Sequence, residues 1–188
     1  MQSISSNDLS AATLLPTLCY LGLGANLHQP LQQLQQAVLA LAALQDCQLL
    51  KVSSLYGSKP MGPQDQPDYV NAVAALATTL PAEQLLDRLQ RIELEQGRQR
   101  KDERWGPRTL DIDILLFGEQ IMHTDRLIVP HYGMKVREFV LYPLAEIAPE
   151  LHLPGGVPLT ELLTTVPLNG LVVLAPSPEF DRSFQSQL

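Results

Sequence analysis

Cysteines, aromatic residues and long apolar runs are scarce in this chain, and each scarcity excludes something. Only two cysteines occur in 188 residues, Cys19 and Cys47, both in apolar runs and without ligand-like spacing. That argues against zinc and leaves two buried thiols in a reducing cytoplasm. No stretch approaches about 18 uninterrupted apolar residues, so no membrane span is expected. The N-terminus lacks a basic segment, and its apolar run is too short for a secretion signal. Aromatic side chains make up 5 % of the chain, with a single Trp, and no aromatic-rich strand of the kind that stacks RNA bases is present. A formal net charge of -7 opposes nucleic acid or an anionic membrane as the main partner. The phosphate loop Gly-x-x-x-x-Gly-Lys-Ser/Thr is missing, as are the protein-kinase signatures.

What remains is one ordinary domain, 45 % apolar and long enough to bury a core without staples. Residues 1–16 read as a loose tail, 17–167 as the domain and 168–188 as a second tail. Residues 18–23 read as a buried strand ended by Gly22, Gly24 and Asn26. Leu31, Leu34, Val38 and Leu41 recur at helical spacing behind Pro30. Residues 48–56 predict a strand and 70–80 another; Gly57, Pro60, Gly62, Pro63 and Pro67 mark a loop over 57–68 between them. Pro81 opens a second helix with Leu85, Leu86, Leu89 and Ile92 on its inner stripe, and Gly97 stops it. A polar loop over 98–109 leads to the best strand, 110–117. Gly118-Glu119 is a turn after which 120–122 should pair back. A helix is expected through Glu138 and Leu144, and a short one over 160–166. Strand, helix, strand, strand, helix, strand is the order of a ferredoxin-like α+β sandwich: an antiparallel sheet with helices on one face, plus extra C-terminal elements.

The chemistry concentrates in residues 98–113. Five of the 13 Lys and Arg side chains, Arg98, Arg100, Lys101, Arg104 and Arg108, precede Asp111 and Asp113. Residues two apart on a strand share a face, about 6.6 Å apart, while Leu110, Ile112, Ile114 and Leu116 take the opposite face. Paired carboxylates suit Mg²⁺, which takes one or two of them plus phosphate oxygens and water, and arginines grip phosphate bidentately. Asp-x-Asp alone is more often a solvated strand end, and a basic run more often a solvated loop. Trp105 inside that polar loop argues against a merely solvated run: it suits a lid that excludes water or stacks on a ring, or else a docked anchor that fixes the loop. His131 and Arg137 add a hydrogen-bond donor and a charge, and Asn71 with Glu93 could read a planar ring of donors and acceptors.

The run Arg104-Trp105-Gly106-Pro107-Arg108-Thr109-Leu110-Asp111-Ile112-Asp113 carries a resemblance, supported by the segments 62–71, 90–98, Val129-Pro130-His131-Tyr132 and Arg137-Glu138-Phe139. Over about residues 17–155 the chain resembles the 6-hydroxymethyl-7,8-dihydropterin pyrophosphokinases of folate biosynthesis. The resemblance implies transfer of pyrophosphate from ATP to the pterin hydroxymethyl group, with AMP leaving. It implies two Mg²⁺ ions on Asp111 and Asp113, with Arg98 and Arg108 catalytically prominent. ATP contacts fall on Gln90, Arg100, Trp105, Arg108, His131, Tyr132 and Arg137. Pterin contacts fall on Ser58, Met61, Gly62, Tyr69, Asn71, Glu93 and Phe139. The implied partners are ATP and the pterin, with no nucleic acid or membrane, for a monomer in the cytoplasm. Ala25 stands where the family usually has Ser, between Gly24 and Asn26. Three rival readings are an RNA-binding ferredoxin-like module, a catalytically inactive paralogue and an ordinary kinase giving ADP; the intact Arg98, Arg108, Asp111 and Asp113 oppose the second.

Overall fold

The computed structural model describes residues 15–97 and 108–180. Its elements are β1 (Thr17–Ala25), α1 (Pro30–Ala42), β2 (Cys47–Val52), β3 (Leu55–Ser58), β4 (Tyr69–Thr78), α2 (Ala82–Glu95), β5 (Asp111–Phe117), β6 (Met122–His123), β7 (Ile128–Val129), α3 (Glu138–Ile147), α4 (Leu159–Thr165) and β8 (Val172–Ala175), with a 3-10 turn over Met134–Val136. β4 is the hub of an antiparallel six-stranded sheet in the order β5-β1-β4-β3-β8, and β2 pairs the other end of β4. This is the α+β sandwich expected.

Period-two alternation decides what each face of the sheet does. Leu21 and Leu23 of β1, Ala72 and Ala74 of β4, and Ile112 and Ile114 of β5 join the stripes of α1 and α2 in one core. In α2, Leu85, Leu89 and Ile92 recur at helical spacing and are buried; each such side chain contributes about 1.5–3 kcal/mol when fully buried. Gly97 ends that helical segment at φ 85, a left-handed conformation that glycine adopts without penalty. On the opposite face, Tyr20, Val73, Ala75 and Leu115 pack under α3 and α4 in a second core. The extra C-terminal elements therefore cover the sheet face that α1 and α2 leave free.

Four local expectations change. The strand over 48–56 is two strands, β2 and β3, broken at Ser53-Ser54. Ser53 Oγ accepts the Val73 N–H at 2.9 Å, so a side chain replaces a backbone acceptor and lets the strand bend. The loop accordingly starts at Lys59, because β3 runs to Ser58. Residues 120–122 do not pair back: β6 pairs forward with β7, Met122 opposite Val129. β8 lies within the C-terminal segment and pairs with β3, Gly57 opposite Val172.

Candidate active site

Two cross-strand rows form the floor of the pocket. In one, Asp111 of β5, Gly24 of β1 and Asn71 of β4 lie opposite one another; in the next, Asp113, Gly22 and Val73 do. The two glycines leave β1 bare between the carboxylates and the amide. A Cβ on Gly24 would lie 3.3 Å from Asn71 Oδ1, and one on Gly22 would lie 3.3 Å from Leu115 Cδ2. The register slips between Tyr20 and Leu21, and the bulged Leu115 turns its carbonyl to the His131 N–H at 2.9 Å. A bulge beside a site re-aims the chain; here it anchors His131 over Asp113.

Charge is concentrated at the β5 end. The Arg108 guanidinium bonds directly to Asp111 Oδ2, so a cation already faces that carboxylate. Asp113 has 43 % of its side chain open to the pocket, but protein crowds it from below. Burial, followed by repulsion from Asp111, pushes its pKa up to about 7. His131 Nε2 stands 3.7 Å from Asp113 Oδ2. Burial, then the neighbouring Arg137 charge, lowers the His131 pKa to about 4, so the ring is neutral at pH 7. Its Nδ1 accepts the Gly133 N–H at 3.2 Å, which puts the ring proton on Nε2, pointing into the pocket. The His131 and Tyr132 ring centroids are 4.5 Å apart. Arg137 is buried, with its guanidinium 5.3 Å from the Tyr132 centroid and 5.9 Å from that of Phe139.

The other end has one charged lining residue, Lys59, paired with Asp68 at 2.8 Å. Asn71 is buried and donates from Nδ2 to Ser58 Oγ at 2.8 Å. Tyr69 from β4 and Phe139 from the first turn of α3 line the same pocket, with Met61 and Gly62 from the loop after β3. An anionic, arginine-flanked end thus meets an amide-and-aromatic end across a glycine floor.

A family model described as 7,8-dihydro-6-hydroxymethylpterin-pyrophosphokinase (HPPK) matches residues 20–149. The chain belongs to the HPPK family. It is 58 % identical over 152 residues to the 2-amino-4-hydroxy-6-hydroxymethyldihydropteridine pyrophosphokinase of Pseudomonas aeruginosa, a match covering 81 % of this chain and 93 % of that one. It is 52 % identical over 157 residues to the protein of the same name from Haemophilus influenzae, covering 84 % and 98 %. Among solved structures, a Plasmodium falciparum HPPK-DHPS variant crystallised with pterin and p-hydroxybenzoate superposes with a TM-score of 0.64 at 13 % identity, over 85 % of this chain and 45 % of that longer one. At that identity the likeness is one of fold.

Against the expectations for an HPPK, Ser58, Met61, Gly62, Tyr69, Asn71, Arg108, Asp111, Asp113, His131, Tyr132, Arg137 and Phe139 all line this pocket. Gln90 and Glu93 do not reach its wall. Glu93 is buried beneath β5, where Oε1 accepts the Ile112 N–H at 2.7 Å, between the two aspartates. Arg98, Arg100 and Trp105 lie outside the described residues.

Sequence reasoning missed Gly22, Gly24 and Asn26. In the sequence Gly22 and Gly24 read only as the end of the first strand, yet period two on a strand marks them as a bare patch on one face. Asn26 is 2 % exposed. Its Oδ1 accepts the Arg108 N–H at 2.8 Å, and its Nδ2 donates to Pro67 O and Gln66 Oε1, both at 3.0 Å. One side chain therefore joins β1, the 59–68 loop and the segment that carries Arg108.

Proposed function

We propose that this pocket transfers the pyrophosphoryl group of ATP to the hydroxymethyl oxygen of 6-hydroxymethyl-7,8-dihydropterin, with the residues named above in defined roles. The chain is an ATP-dependent pyrophosphokinase of folate biosynthesis. The observation that carries the assignment of roles is the row Asp111–Gly24–Asn71, which sets a phosphate-handling end against a ring-reading end across a floor without side chains.

The donor set fits Mg²⁺. Asp111 and Asp113 are hard oxygen donors on one strand face, and among the described residues no third Asp, Glu, His or Cys closes a cage around them. Positions are therefore left for phosphate oxygens and water. The raised Asp113 pKa points the same way, since two crowded carboxylates favour a bound cation. We assign two ions to this pair; held by Asp111 and Asp113, they would supply positive charge against the triphosphate.

Everything else is positioning and charge, because phosphoryl transfers leave the protein little covalent work. Arg108 and Arg137 flank the phosphates, and Arg98 and Arg100 join them by resemblance. Neutral His131 donates from Nε2–H to a phosphate oxygen. Asn71 and Ser58 hold the edge of the pterin ring between Tyr69 and Phe139, and this aims the hydroxymethyl oxygen at the β-phosphorus. Glu93 acts by pinning the Ile112 amide between the two aspartates. Tyr132 contacts the nucleotide, and by resemblance Trp105 does too, which would keep water from ATP. We assign the enzyme as a cytoplasmic monomer acting on small molecules; its free thiols Cys19 and Cys47 suit a reducing compartment.

The deciding assay follows nucleotide products with and without the pterin. AMP formed only with the pterin, one for each pterin diphosphate, is the expected result. ADP, or AMP released equally without the pterin, would sink the reading.

A further inference from the structure

Gly133 is crowded below 3.0 Å by another side chain, whereas Gly22, Gly24, Gly57 and Gly118 are not. A Cβ built there would lie 2.5 Å from Arg137 Cζ, 2.6 Å from Nε and 2.8 Å from Nη2. The backbone does not ask for glycine: φ is -97 and ψ is -7, a conformation that alanine adopts freely. Gly133 is therefore unlike Gly97, Gly118, Gly155, Gly156 and Gly170, whose φ values are positive. It also differs from Gly57, whose close neighbour is the apolar Leu174. At Gly133 the neighbour is a charged group that lines the pocket.

We infer that Gly133 is a positioning residue for Arg137: the space where its side chain would stand is the space in which the guanidinium packs beside Tyr132 and Phe139. The inference rests on the reading of Arg137 as a phosphate-binding group. The clashing atoms are the far end of a long side chain, not backbone, so a methyl group at 133 moves the guanidinium rather than the fold. A merely structural glycine would behave differently, because substitution would lower stability before it touched chemistry. Replacing glycine where the backbone already suits alanine instead tends to stabilise, by restricting the unfolded chain.

Four proteins test this: the native chain, Gly133→Ala, Arg137→Ala and the double variant. Each is followed by thermal unfolding, by calorimetric titration with a non-hydrolysable ATP analogue and Mg²⁺, and by pterin-dependent AMP release. Gly133→Ala is expected to keep or raise Tm while kcat/KM for ATP falls about tenfold or more. In the Arg137→Ala background the same substitution should change nothing further, because the group it displaces is gone. Native kinetics for Gly133→Ala, or losses that multiply in the double variant, would overturn the proposal. So would a Tm drop of equal size with and without the guanidinium, since the cost would then lie in the turn. If Arg137→Ala itself leaves ATP affinity and kcat/KM unchanged, the phosphate role of Arg137 falls, and this proposal with it. If Arg137→Ala is impaired and Gly133→Ala is not, only the role of Gly133 falls.

Discussion

The same strands build both faces of the sheet, yet the faces are chemically opposed. Along β1 and β5, Leu21, Leu23, Ile112 and Ile114 are 0–3 % exposed against α1 and α2. The residues between and beside them, Gly22, Gly24, Asp111 and Asp113, line the pocket on the other side. A pleat turns successive side chains to opposite faces, so one strand can carry cohesion on one side and charge on the other. Stability and chemistry are thereby separated by a single residue step, and crowded carboxylates are tolerated because the apolar face holds the strand.

The sharpest way to break that separation is to substitute adjacent residues. Asp111→Ala or Asp113→Ala should lower turnover at least about a thousandfold, with Tm changed by only a few degrees. Ile112→Ala, between them, should cost about 2–4 kcal/mol in denaturant unfolding through the cavity it leaves, while each folded molecule keeps near-native turnover. Equal stability losses for the three variants would end the comparison.

Asn26→Ala probes the point where both regions meet. Removing the amide leaves the Arg108 N–H without its acceptor and detaches the 59–68 loop from β1. A cost of about 1–3 kcal/mol is expected, together with a fall of roughly tenfold in kcat/KM as Arg108 keeps only its backbone carbonyl bond to residue 26. Denaturant unfolding and steady-state kinetics check both; a stability loss with native kinetics would make Asn26 purely structural.

The carboxylate pair also predicts a pH effect. The Asp113 pKa is raised from 3.8 to about 7 in the folded chain, so the folded state holds its proton more tightly than the unfolded state. Without Mg²⁺, stability from this group is full below about pH 4 and is lost as pH rises through 7. Asp113→Asn should therefore raise the metal-free Tm at pH 8 and not at pH 4. The gain should be only about 1 kcal/mol, because the carboxylate is part-exposed and solvent screens it. A gain of equal size at both pH values would show that the substitution acts through packing. Lys59→Ala should do least. It removes an exposed 2.8 Å ion pair to Asp68 across the loop ends, worth well under about 1 kcal/mol, and should raise the pterin KM slightly. A large KM change would mean that Lys59 itself meets substrate.

Most regular elements were legible because their signals are local. Leu85, Leu89 and Ile92 state a helix face, and Asp111 to Phe117 states a strand, whatever surrounds them. The paired aspartates were legible for the same reason, since period two alone puts them on one face. What escaped depends on distant partners. The Ser53–Ser54 break needs Val73 as a donor, and β8 needs the bare backbone of Gly57, over which Leu174 packs. Glu93 looked like a ring-reading group until β5 supplied the Ile112 amide as its partner. Helical periodicity, strand alternation and the Asp-x-Asp register are thus properties of neighbours in the chain, set by backbone geometry before folding. The glycine floor, the anchoring of Arg108 by Asn26 and the packing of Arg137 over Gly133 arise only once folding brings remote segments within bonding distance.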